Sequence, residues 1–158
     1  MKKLLFILAS FFILSGTQAQ KVGGEWSAGL RLGGSSGVSL KKHNDYRGAF
    51  EFIFANSFDK TVNGFSVTGL YEKLSPMNGN GQLSAMWGGG VNLNFRDNVK
   101  FGLSGIIGFD WRLKAVPVTL QVDWMPTWYF VNANYFSGIN GAFTARYVLN
   151  RKKYESRK

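Results

Sequence analysis

Apolar and polar residues alternate one by one along most of this chain. One segment shows the pattern at full length. Val99, Phe101, Leu103, Gly105, Ile107, Phe109, Trp111 and Leu113 fall on one parity, and Lys100, Gly102, Ser104, Ile106, Gly108, Asp110 and Arg112 on the other. Successive side chains of a β-strand point to opposite faces, so this period of two predicts a strand with one greasy and one polar face. Eight such segments follow one another, approximately Gly24 to Gly33, Gly37 to His43, Arg47 to Asn56, Gly64 to Lys73, Leu83 to Phe95, Val99 to Leu113, Val116 to Met125 and Ile139 to Asn150. Turn-forming residues separate them, and no later stretch is apolar for the 18 or so residues a spanning helix needs. The longest predicted connection is Pro126 to Gly138, followed by Ser75 to Gln82.

The two faces differ in an unusual way. Phe50, Phe52 and Phe54 oppose Ala49, Glu51, Ile53 and Ala55, and Val116, Val118, Leu120, Val122 and Trp124 oppose Thr119, Gln121 and Asp123. A soluble sheet protein shows water a dense, mixed-charge face. Here the polar face is made of small residues and isolated ions, while the apolar face is large and aromatic. The pattern fits lipid outside and a narrow polar lumen inside, in a ring closed because an open edge in hydrocarbon leaves backbone groups unpaired. The expected fold is an all-β, eight-stranded antiparallel transmembrane up-and-down β-barrel, which needs roughly 110–150 residues. The alternative from another class is a soluble periplasmic β-barrel that binds an apolar ligand in an aromatic interior.

The start of the chain bears on that choice. A basic Met1-Lys2-Lys3, an apolar run from Leu4 to Leu14 and small residues at Thr17 and Ala19 form a secretory signal peptide. The chain is therefore divided into a signal peptide (1–19), an outer-membrane β-barrel domain (20–150) and a basic C-terminal tail (151–158). Export through the Sec pathway to the cell outer membrane is expected. Of 19 basic and 9 acidic residues, five basic and one acidic lie in the tail. The export signal argues against a nucleic-acid partner.

At eight strands the interior is just wide enough for side chains to fill it. The inward ions would be Glu25, Arg31, Lys41, Glu51, Glu72, Lys100, Asp110, Arg112, Asp123 and Arg146, five basic and five acidic, and buried charges must be paired. They read as a structural plug of ion pairs. Lys41 would stand opposite Ala49 and diagonal to Glu51, and Arg146 would meet Glu25 or Asp123. Gly88, Gly90, Gly102 and Gly108 would leave room for the long side chains. Trp26, Trp111, Trp124, Trp128, Tyr129 and Tyr147 lie near strand ends, where interfacial aromatics belong.

Candidate chemistry is sparse. There is no cysteine and one histidine, so thiolate metal sites and multi-histidine centres are excluded. A lipid A-modifying barrel enzyme would need a serine, a base and an orienting acid. His43 is the sole candidate base, and no serine lies within two residues of it. No catalytic residue, metal or cofactor is assigned.

Several strand motifs carry a likeness. Gly105-Ile106-Ile107-Gly108-Phe109-Asp110-Trp111, Pro117-Val118-Thr119-Leu120-Gln121-Val122-Asp123-Trp124-Met125-Pro126, Leu70-Tyr71-Glu72-Lys73 and Ala145-Arg146-Tyr147 resemble the small outer-membrane β-barrel proteins of Bacteroidetes, eight-stranded barrels of the OmpA/OmpX type. The resemblance implies an outer-membrane address, contact with outer-membrane lipid and lipopolysaccharide, and insertion by the barrel assembly machinery. The expected role is a non-enzymatic one in envelope structure or surface contact.

Overall fold

The computed structural model describes residues 24–45, 47–57, 64–78, 82–95, 98–113, 115–132 and 134–149. The segment read as a signal peptide and the basic tail lie outside the described residues. Ten strand segments are present: β1 (Trp26–Gly33), β2 (Ser35–Asp45), β3 (Gly48–Ser57), β4 (Gly64–Pro76), β5 (Leu83–Phe95), β6 (Val99–Arg112), β7 (Val118–Trp124), β8 (Thr127–Val131), β9 (Tyr135–Ser137) and β10 (Gly141–Val148). All pairings are antiparallel, and those of β1 with β10 and β5 with β6 close the sheet into a ring.

The ten segments make eight staves. β7 and β8 both pair with β6, through Ile107↔Trp124 and Ser104↔Thr127, and are two halves of one stave interrupted at Met125-Pro126. Proline has no N–H for a ladder. The gap is bridged from the neighbours: the Gly105 N–H donates to the Pro126 carbonyl (2.9 Å) and the Met125 N–H to the Asn140 carbonyl (2.9 Å). β9 and β10 are likewise one stave, broken at 138–140. The expected long connection from Pro126 to Gly138 is therefore mostly wall. Its Thr127-Trp128-Tyr129-Phe130-Val131 run is β-branched and aromatic, which suits a strand, and Asn132 takes a left-handed conformation (φ 57°) at the hairpin that follows.

Two other expectations need correction. The second strand is 11 residues long, because Ser35 and Ser36 pair with Ser57 and Asn56. It also runs on to Asp45, with an irregularity between His43 and Asp45, so Lys41 faces Glu51 directly rather than Ala49. Asp45 pairs with Gly48, so the chain reverses later than a Lys41–Ala49 pairing requires, and the one extra residue between His43 and Asp45 leaves a net displacement of two positions, which keeps Lys41 on the inner face.

The register sets the tilt. A row of paired residues runs Tyr147, Ala28, Leu40, Phe52, Gly69, Val91, Leu103, Trp128 and Phe136. It leaves the β9–β10 stave at Tyr147 and returns at Phe136. With strands about 4.8 Å apart and about 3.3 Å per residue, that displacement corresponds to staves tilted by about 40°. Each step round the ring therefore climbs by about 3 Å away from the end where Gly24 and Leu149 lie, here termed the proximal end. The distal end is oblique: the β1–β2 hairpin turns at Gly34, while β5, β6 and β8 run well beyond it.

The faces are sorted as the alternation predicts. Glu51, Asp110 and Arg146 are 0%, 6% and 1% exposed, and Phe52, Ile107 and Val122 are 44%, 55% and 56% exposed. Twenty-eight large apolar side chains of the described residues stand on the outside. The aromatic rows thus face outward, not into an apolar ligand chamber. A modest apolar cluster, including Ile53, Leu70, Leu74, Met86, Ile106 and Met125, fills part of the lumen, chiefly on the β4–β6 side.

Candidate functional site: an ionic lumen and a banded outer wall

The inward ions form one connected network. Gln121, on β7, is its hub. Its Oε1 accepts from Lys41 Nζ (3.0 Å) and from Arg146 (2.8 Å), and its Nε2 donates to Asp123 Oδ2 (2.9 Å). Asp123 holds Arg31 in a two-pronged pair, both contacts at 2.7 Å. Lys41 reaches Glu72 (2.6 Å) and Asp110 (3.1 Å). Arg146 donates to Ser39 Oγ (2.7 Å) and pairs with Glu51, which also accepts from Ser39 (2.6 Å). Seven of the eight staves contribute: β1, β2, β3, β4, β6, β7 and β10. Only β5 sends no member, presenting Met86, Gly88 and Gly90 at this level. Glu25 and Arg112 pair separately at the proximal end.

Seven of the ten ions expected inside are therefore brought together, but with different partners. Arg146 meets Glu51 rather than Glu25 or Asp123, and Asp123 belongs to Arg31. Adjacent-strand reasoning misses this because long side chains cross the lumen, and the tilt decides which levels meet. Lys100 lies half-buried on the inner parity near the distal end. The glycines also have another reason. A Cβ at Gly88 would collide with the Tyr71 carbonyl oxygen, and one at Gly108 with that of Val122. The neighbouring backbone, rather than an ion, occupies the space.

Above the network, and below Lys100, lies a layer of neutral polar groups. Tyr129 Oη donates to Asn92 Oδ1 (2.8 Å), Asn92 Nδ2 donates to Thr68 Oγ1 (2.6 Å), and the Ser104 and Thr127 hydroxyls are 2.7 Å apart. Tyr129 was expected at the outer surface beside Trp128. Two consecutive strand residues cannot share a face, and the parity carries through Pro126, so Trp128 points out and Tyr129 in. Tyr129→Phe should cost about 1 kcal/mol by removing one buried hydrogen bond, read as a lower urea midpoint of the folded barrel.

The other aromatics stay outside. Trp26, Trp111 and Tyr147 lie near the proximal end and Trp128 near the distal end. Trp124, at the end of β7, stands at mid-height, where its indole Nε1 donates to the Gly138 carbonyl (2.6 Å). The break at 138–140 thus satisfies a polar group in the middle of an apolar wall.

Among strand residues whose side chains are described, only Lys42 and Lys73 put a charge on the outer face. Lys42 lies over the Trp26 ring (5.1 Å) and Lys73 over Trp87 (5.3 Å), with a Phe50–Tyr71 contact (5.0 Å) between them. Their signal in the sequence is a lysine at an apolar parity, which a search restricted to the polar face passes over. His43 is buried on the inner face of β2, and no hydrogen bond joins it to a serine among the described residues. No group of three or more metal-ligating side chains occurs among them either.

No protein-family model matches the chain, and comparison with curated proteins and with solved structures returned no match.

Proposed function

We propose that this chain is a non-enzymatic integral outer-membrane β-barrel whose lumen is plugged by its own side chains, with a role in envelope structure or surface contact. The observation that supports it most is the inverted sorting of the wall: apolar residues cover the outside of a closed ring, and ion pairs fill the centre. In water that arrangement exposes far more contiguous apolar surface than a soluble monomer carries. In a bilayer it matches the apolar band and aromatic girdles of lipid-embedded barrels. At the level of Gln121 the network side chains are almost wholly buried, which supports a plugged lumen rather than an open pore. The N-terminal signal-like segment and the strand motifs resembling small Bacteroidetes barrels agree with this address. Lipid and lipopolysaccharide are then its surroundings, and the barrel assembly machinery its partner during insertion.

The test is fractionation and electrophoresis. The protein should sediment with outer membranes, require detergent for extraction, give a β-rich circular dichroism spectrum, and migrate differently on gels before and after boiling. Recovery as a detergent-free periplasmic monomer would overturn the proposal.

A further inference from the structure

We infer that the proximal rim of β1–β5 is a binding surface for the phosphate headgroups of anionic lipids, an inference that rests on the membrane reading above. The two outward charges of the described wall have the same sign and the same seat, each an ammonium group over a tryptophan ring. They also share a height. Lys73 lies two residues nearer the proximal end than the row through Lys42, Phe50 and Tyr71, but two strands further round. The climb of about 3 Å per strand offsets the descent along β4, so the two lysines lie nearly level. Strand spacing puts their α-carbons about 12 Å apart.

That level is where a cation on the wall is least costly. A lysine at mid-bilayer is strongly unfavourable, whereas one near the interface is almost neutral. Its methylene stem can lie on apolar surface while the ammonium reaches the headgroups. Stacking on tryptophan narrows the positions each ammonium can take without satisfying its hydrogen-bond donors. Arg47, exposed in the β2–β3 turn, adds a third cation between the two pairs, and no acidic side chain described on the outer wall opposes them. Cations held at fixed height, with donors left over and no anion on the outer wall among the described residues to take them, fit lipid phosphates.

The full chain, purified in a nonionic detergent, would be titrated with phosphatidylglycerol or phosphatidylcholine, and lipid adducts counted by native mass spectrometry. We expect phosphatidylglycerol to bind more tightly, by about fivefold for each lysine engaged. The preference should be lost in Lys42→Gln/Lys73→Gln and kept in Lys42→Arg/Lys73→Arg, with excess inorganic phosphate failing to displace the lipid. Both variants should keep their heat-dependent gel shift, which separates loss of binding from loss of fold. Equal affinity for the two lipids, a preference that survives the double glutamine change, or displacement by free phosphate would overturn the inference while leaving the barrel in the membrane. A chain that is soluble without detergent would overturn both.

Discussion

Arg146→Met should destabilise the folded barrel by about 3–5 kcal/mol, the usual cost of removing one partner from a buried ion pair. The loss is large because of what stays behind. Glu51 would keep its contact with Ser39 but lose its cation, in a part of the lumen where neither residue is exposed. Gln121 would keep one of its two donors. The removed guanidinium spans β10, β2, β3 and β7, so the penalty falls on four staves at once. Urea titration of the refolded protein, followed by the fraction migrating as the compact unboiled band, would measure it. Arg146→Met combined with Glu51→Gln should recover part of the loss, because no uncompensated carboxylate is then left. A single variant within about 0.5 kcal/mol of wild type would show that the network does not hold the ring together.

Ile107→Arg should cost about 2–4 kcal/mol in a bilayer, whereas Val99→Arg should cost about 1 kcal/mol or less. Both residues are exposed on the outer face of β6, and both lie on the same parity. They differ in height: Ile107 is close to mid-wall and Val99 is at the distal end of the strand. The expected difference is a property of lipid, since two arginines on a water-facing strand would each change stability by about 0.5 kcal/mol or less. Folding titrations into phospholipid vesicles give the two values. Equal costs at the two positions would contradict the membrane reading without touching the barrel itself.

The sequence declared the faces more fully than the contacts. Alternation alone separates Phe52 from Glu51 and Ile107 from Asp110, because a strand has only two sides and most of the large apolar residues, all the phenylalanines and tryptophans of these strands among them, choose the other side from the ions. It also predicts eight staves, since turn signals punctuate the chain at nearly every reversal. It fails at Pro126, where a proline and nearby glycine and asparagine residues read as a loop. The ring holds that stave in place from β6 and β10, and Thr127 to Val131 resume the same parity. It fails also for ion partners. Which carboxylate Arg146 meets depends on how far the sheet shears as it closes, and that is a sum of registers around the whole ring, including the irregularity at His43. Tyr129 is missed for the same reason as the stave at Pro126, since a segment read as a connection has no parity, and only the strand from Thr127 to Val131 puts it on the inside. Lys42 and Lys73 were legible as charges in the wrong row, but the reason for tolerating them needed the tryptophans across the ladder.

The placement of Arg146 on the last strand has a consequence for the order of events. Until β10 docks, Glu51 on β3 has no guanidinium, and until β1 and β7 come to share one lumen, Asp123 has no Arg31, a contact that spans 92 positions of sequence. A partly assembled sheet therefore carries unmet carboxylates on its concave side and stays wet. The arrival of the final stave supplies the missing cation and the last backbone ladder together, so sealing the cylinder and drying its interior are one step. Contacts so distant in sequence are slow to form, and a nascent chain lacking Gly141–Val148 should remain open and hydrated, without the Arg146 guanidinium at Glu51 and without the two ladders that β10 makes to β1 and β7.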